Sequence, residues 1–106
     1  MSEATDTVRD LLAAHSASDY PEELAGGEEV DGVALVMLDA DVAGLAAAFL
    51  GAGGTLRPDQ WFTLRECAAD ARAVVPQLEG DAWVYFARLF VLARAMLKFA
   101  PAKDPE

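Results

Sequence analysis

The stretch DGVALVMLDADVAGLAAAFL, residues 31–50, decides the fold class of this 106-residue chain. Its large apolar residues recur at spacings of three, four, three and four, namely Leu35, Leu38, Val42, Leu45 and Phe49. This spacing places them along one face of a helix. We therefore predict a helix over residues 31–50, and the glycines that follow it would end it.

The segment Val33–Leu38 is open to a second interpretation, because it is apolar throughout, as a buried strand is. We favour a helix, since the apolar stripe continues unbroken as far as Phe49. If the segment were a strand, Asp39 would become the N-cap of a shorter helix.

Three further helical segments are predicted on either side of this stretch, at residues 4–15, 58–78 and 82–99. Thr5 or Asp6 can cap the first. Pro58 suits the first position of the next helix, and Pro76 should bend or stop it near its end. Asp81 can cap the last one.

The intervening residues 16–30 are rich in Ser, Asp, Pro and Gly, which predicts a loop with one helical turn at Pro21–Leu24. We therefore expect an all-α fold, a small antiparallel bundle of three long helices plus a short N-terminal helix. It would form a single domain over residues 1–106, with frayed ends at 1–3 and 101–106.

Composition excludes several classes of function. The chain has 18 acidic and 8 basic residues and a net charge of −10, which argues against binding nucleic acid or an anionic membrane. One cysteine and one histidine cannot build a disulfide framework or a zinc site. The first residues do not resemble a signal peptide, so we expect a cytoplasmic protein.

The negative charge is concentrated in residues 1–54, which hold eleven acids and the single base Arg9. The acidic candidates for partner binding are Asp19, Glu22, Glu23, Glu28, Glu29, Asp31, Asp39 and Asp41. A surface of one sign attracts cationic partners and speeds their approach. The alternative is a solvated face that only keeps the protein soluble.

Apolar residues are left over on faces that should be polar. The far side of the 31–50 helix carries Val33, Val36, Ala40, Gly44 and Ala47. Either the other helices cover this face, which is the more economical expectation, or it meets another chain. The candidate apolar interface comprises Val36, Ala40, Ala47, Phe62, Val84 and Val91, and a homodimer is one way to bury it.

Two acid pairs are candidates for metal or acid–base sites. Asp39 and Asp41 match the start of a calcium-binding loop, but Leu50 stands where the essential glutamate belongs. On a helix the two aspartates would lie on opposite flanks of the apolar stripe, where capping or solvation is the simpler role. Glu66 and Asp70 are one turn apart on an exposed face, where a surface role is the simpler explanation.

His15 and Cys67 are the remaining reactive side chains. His15 falls in the last turn of the first helix, near Ser18 and Asp19, where a favourable interaction with the helix dipole is the simplest role. Cys67 lies on the apolar side of its helix and is expected to be an inert core residue. We find no catalytic constellation, expect no cofactor, and retain a metal-dependent enzyme only as an outside alternative.

The segment VDGVALVMLDADVAG, residues 30–44, followed by Gly53-Gly54-Thr55-Leu56, resembles a segment of small acidic proteins from high-GC actinobacteria. The resemblance covers residues 20–99. It implies a source and an architecture, in which two helices follow the glycine-rich linker. It transfers no function and no site residue.

The sequence thus predicts a non-catalytic protein–protein interaction module whose acidic surface binds a basic partner. An immunity- or antitoxin-like inhibitor is its most concrete form, because nucleases are basic in order to hold phosphates. The alternative is a structural or accessory subunit that packs through its apolar helix faces, as a homodimer or with another protein.

Overall fold

Four α-helices and one short hairpin make up the fold in the computed structural model, which describes residues 2–100. The helices are α1 (Glu3–Ser16), α2 (Leu35–Gly51), α3 (Pro58–Val74) and α4 (Gly80–Phe99). Short 3-10 turns occupy Glu22–Leu24 and Val75–Gln77, and the hairpin pairs β1 (Glu29–Val30) with β2 (Val33–Ala34). The all-α prediction is confirmed. The predicted fraying of residues 101–106 lies outside the described residues.

Successive helices run in opposite directions. The end of α1 meets the start of α2 through His15 and Asp39, and Gly54 beyond the end of α2 lies beside Thr5 near the start of α1. The end of α3 returns to the start of α2, where Gln77 contacts Asp31. Helices α2 and α4 each pack against the three other helices, so α1 and α3 flank them.

The core between the helices is apolar and densely filled. Its largest fully buried side chains are Phe49, Phe86, Leu35, Leu64, Leu89, Leu92 and Met96. Four of these belong to α4, which explains why this helix packs against all three others. Burial of such side chains is the main source of stability in a domain of this size.

The second helix begins four residues later than the predicted start at Asp31, because a tight hairpin comes first. Asp31 and Gly32 both have positive φ, at 53° and 79°, as a two-residue type I′ turn requires. Neither the helical nor the strand interpretation of Val33–Leu38 was complete. Val33 and Ala34 form β2, and Leu35 starts the helix.

The helix ends also correct two predicted caps. Ser2, and not Thr5 or Asp6, caps α1, because its Oγ accepts a hydrogen bond from the Thr5 N–H at 3.1 Å. The expected fraying of residues 1–3 stays a prediction. Asp81 lies inside the first turn of α4, where a carboxylate favours the helix dipole, so it is not the cap. The stop near Pro76 is confirmed.

The far side of α2 is not covered by the other helices, contrary to the more economical expectation. Val36 is 47% exposed, and Ala40, Gly44 and Ala47 are also exposed. The reason is that Leu38, Val42 and Leu45 already fill the contacts of α2 with its neighbours. The small-residue face of α2 is therefore free surface in a single chain.

Candidate functional site

An open cleft of about 600 Å³ lies where the end of α1, the loop after it and the start of α4 meet. Its carboxylates come from both sides, and they are Asp19, Glu22, Glu23 and Asp81. Within residues 2–100, Arg88 is the only cation that lines it, and Tyr20, Tyr85 and Val84 supply apolar surface. We call this the acidic cleft.

Beneath the acidic cleft, one partly buried carboxylate joins three helices. Asp39 on α2 lies 2.6 Å from Nε2 of His15 at the end of α1, and 2.7 Å from the hydroxyl of Tyr85 on α4. Because an ionised carboxylate can only accept, His15 Nε2–H and Tyr85 O–H both donate. His15 is only 4% exposed, so Asp39 is the main partner of its Nε2–H.

Aromatic rings complete the floor of the cleft. The Tyr85 ring lies 4.6 Å from the His15 ring and 5.3 Å from the Tyr20 ring, centroid to centroid. Burial, the hydrogen bond to Asp39 and the charge of Asp39 all raise the pKa of Tyr85. Burial and the same charge raise the pKa of Tyr20. Both phenols therefore stay neutral and able to donate at physiological pH.

This network revises the roles expected of two residues. His15 is indeed in the last turn of α1, but it is buried and paired with Asp39, not exposed at the end of a dipole. Asp39 neither caps a helix nor belongs to an exposed acidic surface, because both carboxylate oxygens accept internal hydrogen bonds. Its role in the fold is to fix the relative positions of α1, α2 and α4.

The pairing of His15 with Asp39 does not create a serine nucleophile. Ser18 Oγ donates to the Ala14 carbonyl at 2.9 Å and accepts from Arg88 Nη1 at 3.1 Å. Among the described residues, the hydroxyl of Tyr20 and Nδ1 of His15 are buried without a hydrogen-bond partner. A Ser–His–Asp mechanism requires the serine to bond that histidine, which is not the arrangement here.

The acidic residues predicted for partner binding fall into separate groups. Asp19, Glu22 and Glu23 line the acidic cleft, whereas Glu28, Glu29 and Asp31 lie at the hairpin. Asp31 also accepts a hydrogen bond from Gln77 Nε2 at 2.6 Å. Asp41 is exposed on α2, away from the cleft lining.

Asp81 was missed as a member of the acidic cleft, because sequence reasoning considered it only as a cap. The antiparallel pairing of α1 with α4 is what brings it beside the loop after α1. The predicted bundle did not specify which helices pair, so no signal in the sequence placed Asp81 beside the loop after α1.

The acid pair on α3 offers no metal centre. Glu66 and Asp70 are both exposed, as expected. Across residues 2–100, no group of three or more His, Cys, Asp or Glu side chains is placed to hold a metal ion. Between them and the core, Cys67 is buried, and desolvation together with nearby carboxylates raises its pKa to about 11. Cys67 is therefore protonated and unreactive at neutral pH.

Beside the acidic cleft, an apolar groove of about 420 Å³ runs between α1 and α4. Its exposed apolar side chains are Trp83, Val84 and Val91, and Leu11 faces them from α1. The exposure of Val84 and Val91 agrees with the sequence-based expectation, as does that of Phe62 on α3. Trp83 and Met37 were not among the residues predicted to be exposed; Trp83 lines this groove, whereas Met37 lies on α2.

Comparison with protein-family models, curated proteins and solved structures finds no significant match. The resemblance to small acidic actinobacterial proteins therefore stays a prediction. None of the helices within residues 2–100 has the length and apolarity needed to cross a membrane. The function has to be argued from the surfaces described above.

Proposed function

We propose that this protein is a non-catalytic interaction module that binds a cationic segment of a basic protein partner in the acidic cleft. The observation that carries this proposal is the convergence of four carboxylates from two separate parts of the chain on one concavity. Among the described residues, none of the four is engaged in an ion pair. Their charge is therefore available to a partner.

The shape of the site supports the same function. Carboxylates around a concave, partly apolar surface focus the electrostatic potential and raise the local concentration of cations. Tyr20 and Tyr85 offer ring surface, which attracts guanidinium and ammonium groups. The Asp39 network fixes the floor of the cleft, so little ordering is needed when a ligand binds.

An immunity- or antitoxin-like inhibitor remains the most concrete form of this proposal. A basic nuclease of the cytoplasm exposes the cations that hold its substrate's phosphates. An acidic cleft can cover such a segment and associate rapidly with it. In this form the cleft would compete directly with the nucleic acid for the same cations.

The test is the affinity of a labelled octa-arginine peptide for matched variants, measured by fluorescence anisotropy at low ionic strength. One variant neutralises the cleft with E22Q, E23Q and D81N. The control variant removes the same number of exposed charges elsewhere, with D41N, E66Q and D70N. Both variants keep the core, so circular dichroism should show unchanged helix content.

We expect the cleft variant to weaken peptide binding by about tenfold or more, because three of the four focused charges are removed. The control variant should change the peptide affinity by about threefold or less. Its substitutions lie away from the cleft and act only through the net charge of the chain, which salt screens. Equal losses in the two variants would mean that the chain attracts cations without a site, and the proposal would fail.

A second candidate is favoured by the exposed face of α2. Val36 and Met37 are among the most exposed large apolar residues, and Ala40 and Ala47 extend the same face. This face suits an accessory subunit that packs through apolar surface against another protein. Salt separates the two candidates, because binding through the acidic cleft weakens as ionic strength rises whereas apolar packing persists.

A further inference from the structure

Three adjoining grooves form one continuous surface along the outer side of α4. The acidic cleft shares Val84 and Arg88 with the apolar groove beside it. That apolar groove in turn shares Leu11 and Val91 with a third groove, about 630 Å³, at the far end of α4. We call this surface the α4 strip.

The two ends of the α4 strip carry opposite charge. The acidic cleft lies at the start of α4, and the third groove is lined by Arg94 and Lys98, with Glu3 as its one acid among the described residues. Arg94 and Lys98 lie over the rings of Phe90 and Phe99, and neither makes an ion pair within residues 2–100. The middle of the strip is mainly apolar, with Trp83 and Val91 about half exposed, and Arg88 lies where it adjoins the acidic cleft.

The strip runs from acidic through apolar to basic surface, so a second copy that lies in the opposite direction presents a complementary surface to it. A two-fold axis through the middle of the strip places the acidic end of one copy on the basic end of the other, twice over. Asp81 and Lys98 are 17 residues apart on one helix, a separation of about 25 Å. The same axis stacks the apolar centres of the two strips on each other.

We propose that a second copy of this chain docks antiparallel on the α4 strip, with Arg94 and Lys98 of each copy entering the acidic cleft of the other. α4 is about 30 Å long and α1 about 21 Å, so the face that they share covers about 500 Å² per copy. The total of about 1,000 Å² reaches the lower limit for a specific interface. The carboxylates of each acidic cleft are then paired with Arg94 and Lys98 of the other copy.

This inference goes beyond the proposed function and does not rest on it. The second copy occupies the same cleft that a basic partner would use, so dimerisation and partner binding compete. The two experiments fail separately. Loss of specific octa-arginine binding would not exclude the dimer, and absence of the dimer would leave the cleft free for another protein.

The experiment measures oligomeric state by analytical ultracentrifugation across protein concentration. We expect the wild-type chain to sediment with twice its mass of 11.3 kDa. The variant R94E/K98E should be monomeric, because both of its ends are then acidic. The variant E22K/E23K/D81K should be monomeric for the opposite reason. The control R65E/R72E changes two exposed cations of α3 and should leave the dimer intact.

Mixing the two monomeric variants gives the sharpest result. The acidic cleft of R94E/K98E faces the basic end of E22K/E23K/D81K, and the two reversed ends also attract each other. We expect a heterodimer at least tenfold tighter than either variant with itself. A wild-type monomer at every concentration would overturn the proposal. A wild-type dimer that both end variants and V91D leave intact would overturn it too.

Discussion

Replacement of Asp39 by alanine tests the account of the buried network most severely. Asp39→Ala removes the acceptor of two short hydrogen bonds at 2.6 and 2.7 Å. It leaves the buried His15 imidazole and the Tyr85 hydroxyl without their partner. A buried donor that loses its acceptor keeps the full cost of its desolvation.

The magnitude follows from the number and kind of bonds lost. A hydrogen bond to a charged group contributes about 1.5–3 kcal/mol, so two give about 3–6 kcal/mol. The Asp39 side chain is 20% exposed, so water can enter and partly satisfy the donors left behind. We therefore expect the lower end, a loss of about 3 kcal/mol, or a fall in Tm of about 12 °C.

The assay is urea unfolding followed by the fluorescence of Trp61 and Trp83, with circular dichroism as a second probe. Asp41→Ala is the matched control, since Asp41 is exposed two residues along the same helix and should cost no more than about 0.5 kcal/mol. Asp39→Asn keeps the shape with a neutral acceptor and should fall between the two. If Asp39→Ala and Asp41→Ala cost the same, the network does not join the helices as argued.

Three further predictions concern the thiol, the hairpin and the N-terminal cap. The pKa of Cys67 is raised to about 11 from an ordinary 9.0. The contribution of the protonated thiol to the free energy of unfolding is therefore complete below pH 9 and is lost as the pH rises toward 11. Urea unfolding across this pH range should show a smaller decline in the free energy of unfolding for Cys67→Ala than for the wild-type chain. Gly32→Ala forces a side chain onto a φ of 79° and should cost about 1 kcal/mol by the same assay, and an unchanged midpoint would argue against the type I′ turn. Ser2→Ala removes the cap of α1 and should cost about 1 kcal/mol, whereas Ser2→Asp should retain it; an equal loss in both variants would exclude capping.

The fold class was predictable because the information for it is local. Apolar residues such as those from Leu35 to Phe49 recur at the helical period. A proline such as Pro76 ends a helix whatever the helix packs against. The hairpin was missed although its signal, Asp31-Gly32, is also local. It was outweighed by the long apolar run that follows, which extended the helix backward over residues that actually form a strand.

The Asp39 network could not be predicted from spacing. His15 and Asp39 are 24 residues apart, and Tyr85 lies 46 residues beyond Asp39. No local rule relates these positions. They meet only because α1, α2 and α4 pack together with each helix in a particular orientation about its own axis. The acidic cleft was predictable only in part. The density of charge in the sequence indicated Glu22 and Glu23, but it did not indicate Asp81 on α4.

An NMR titration of the isotopically labelled chain with octa-arginine shows directly whether the acidic cleft binds cations. It reads the position of the bound cation residue by residue, which affinity alone does not. If the cation binds in the acidic cleft, amide resonances shift at residues 18–23 and 81–88, on both sides of the cleft. Shifts confined to the hairpin acids at residues 28–31, or spread evenly over the acidic surface, would contradict binding in the cleft.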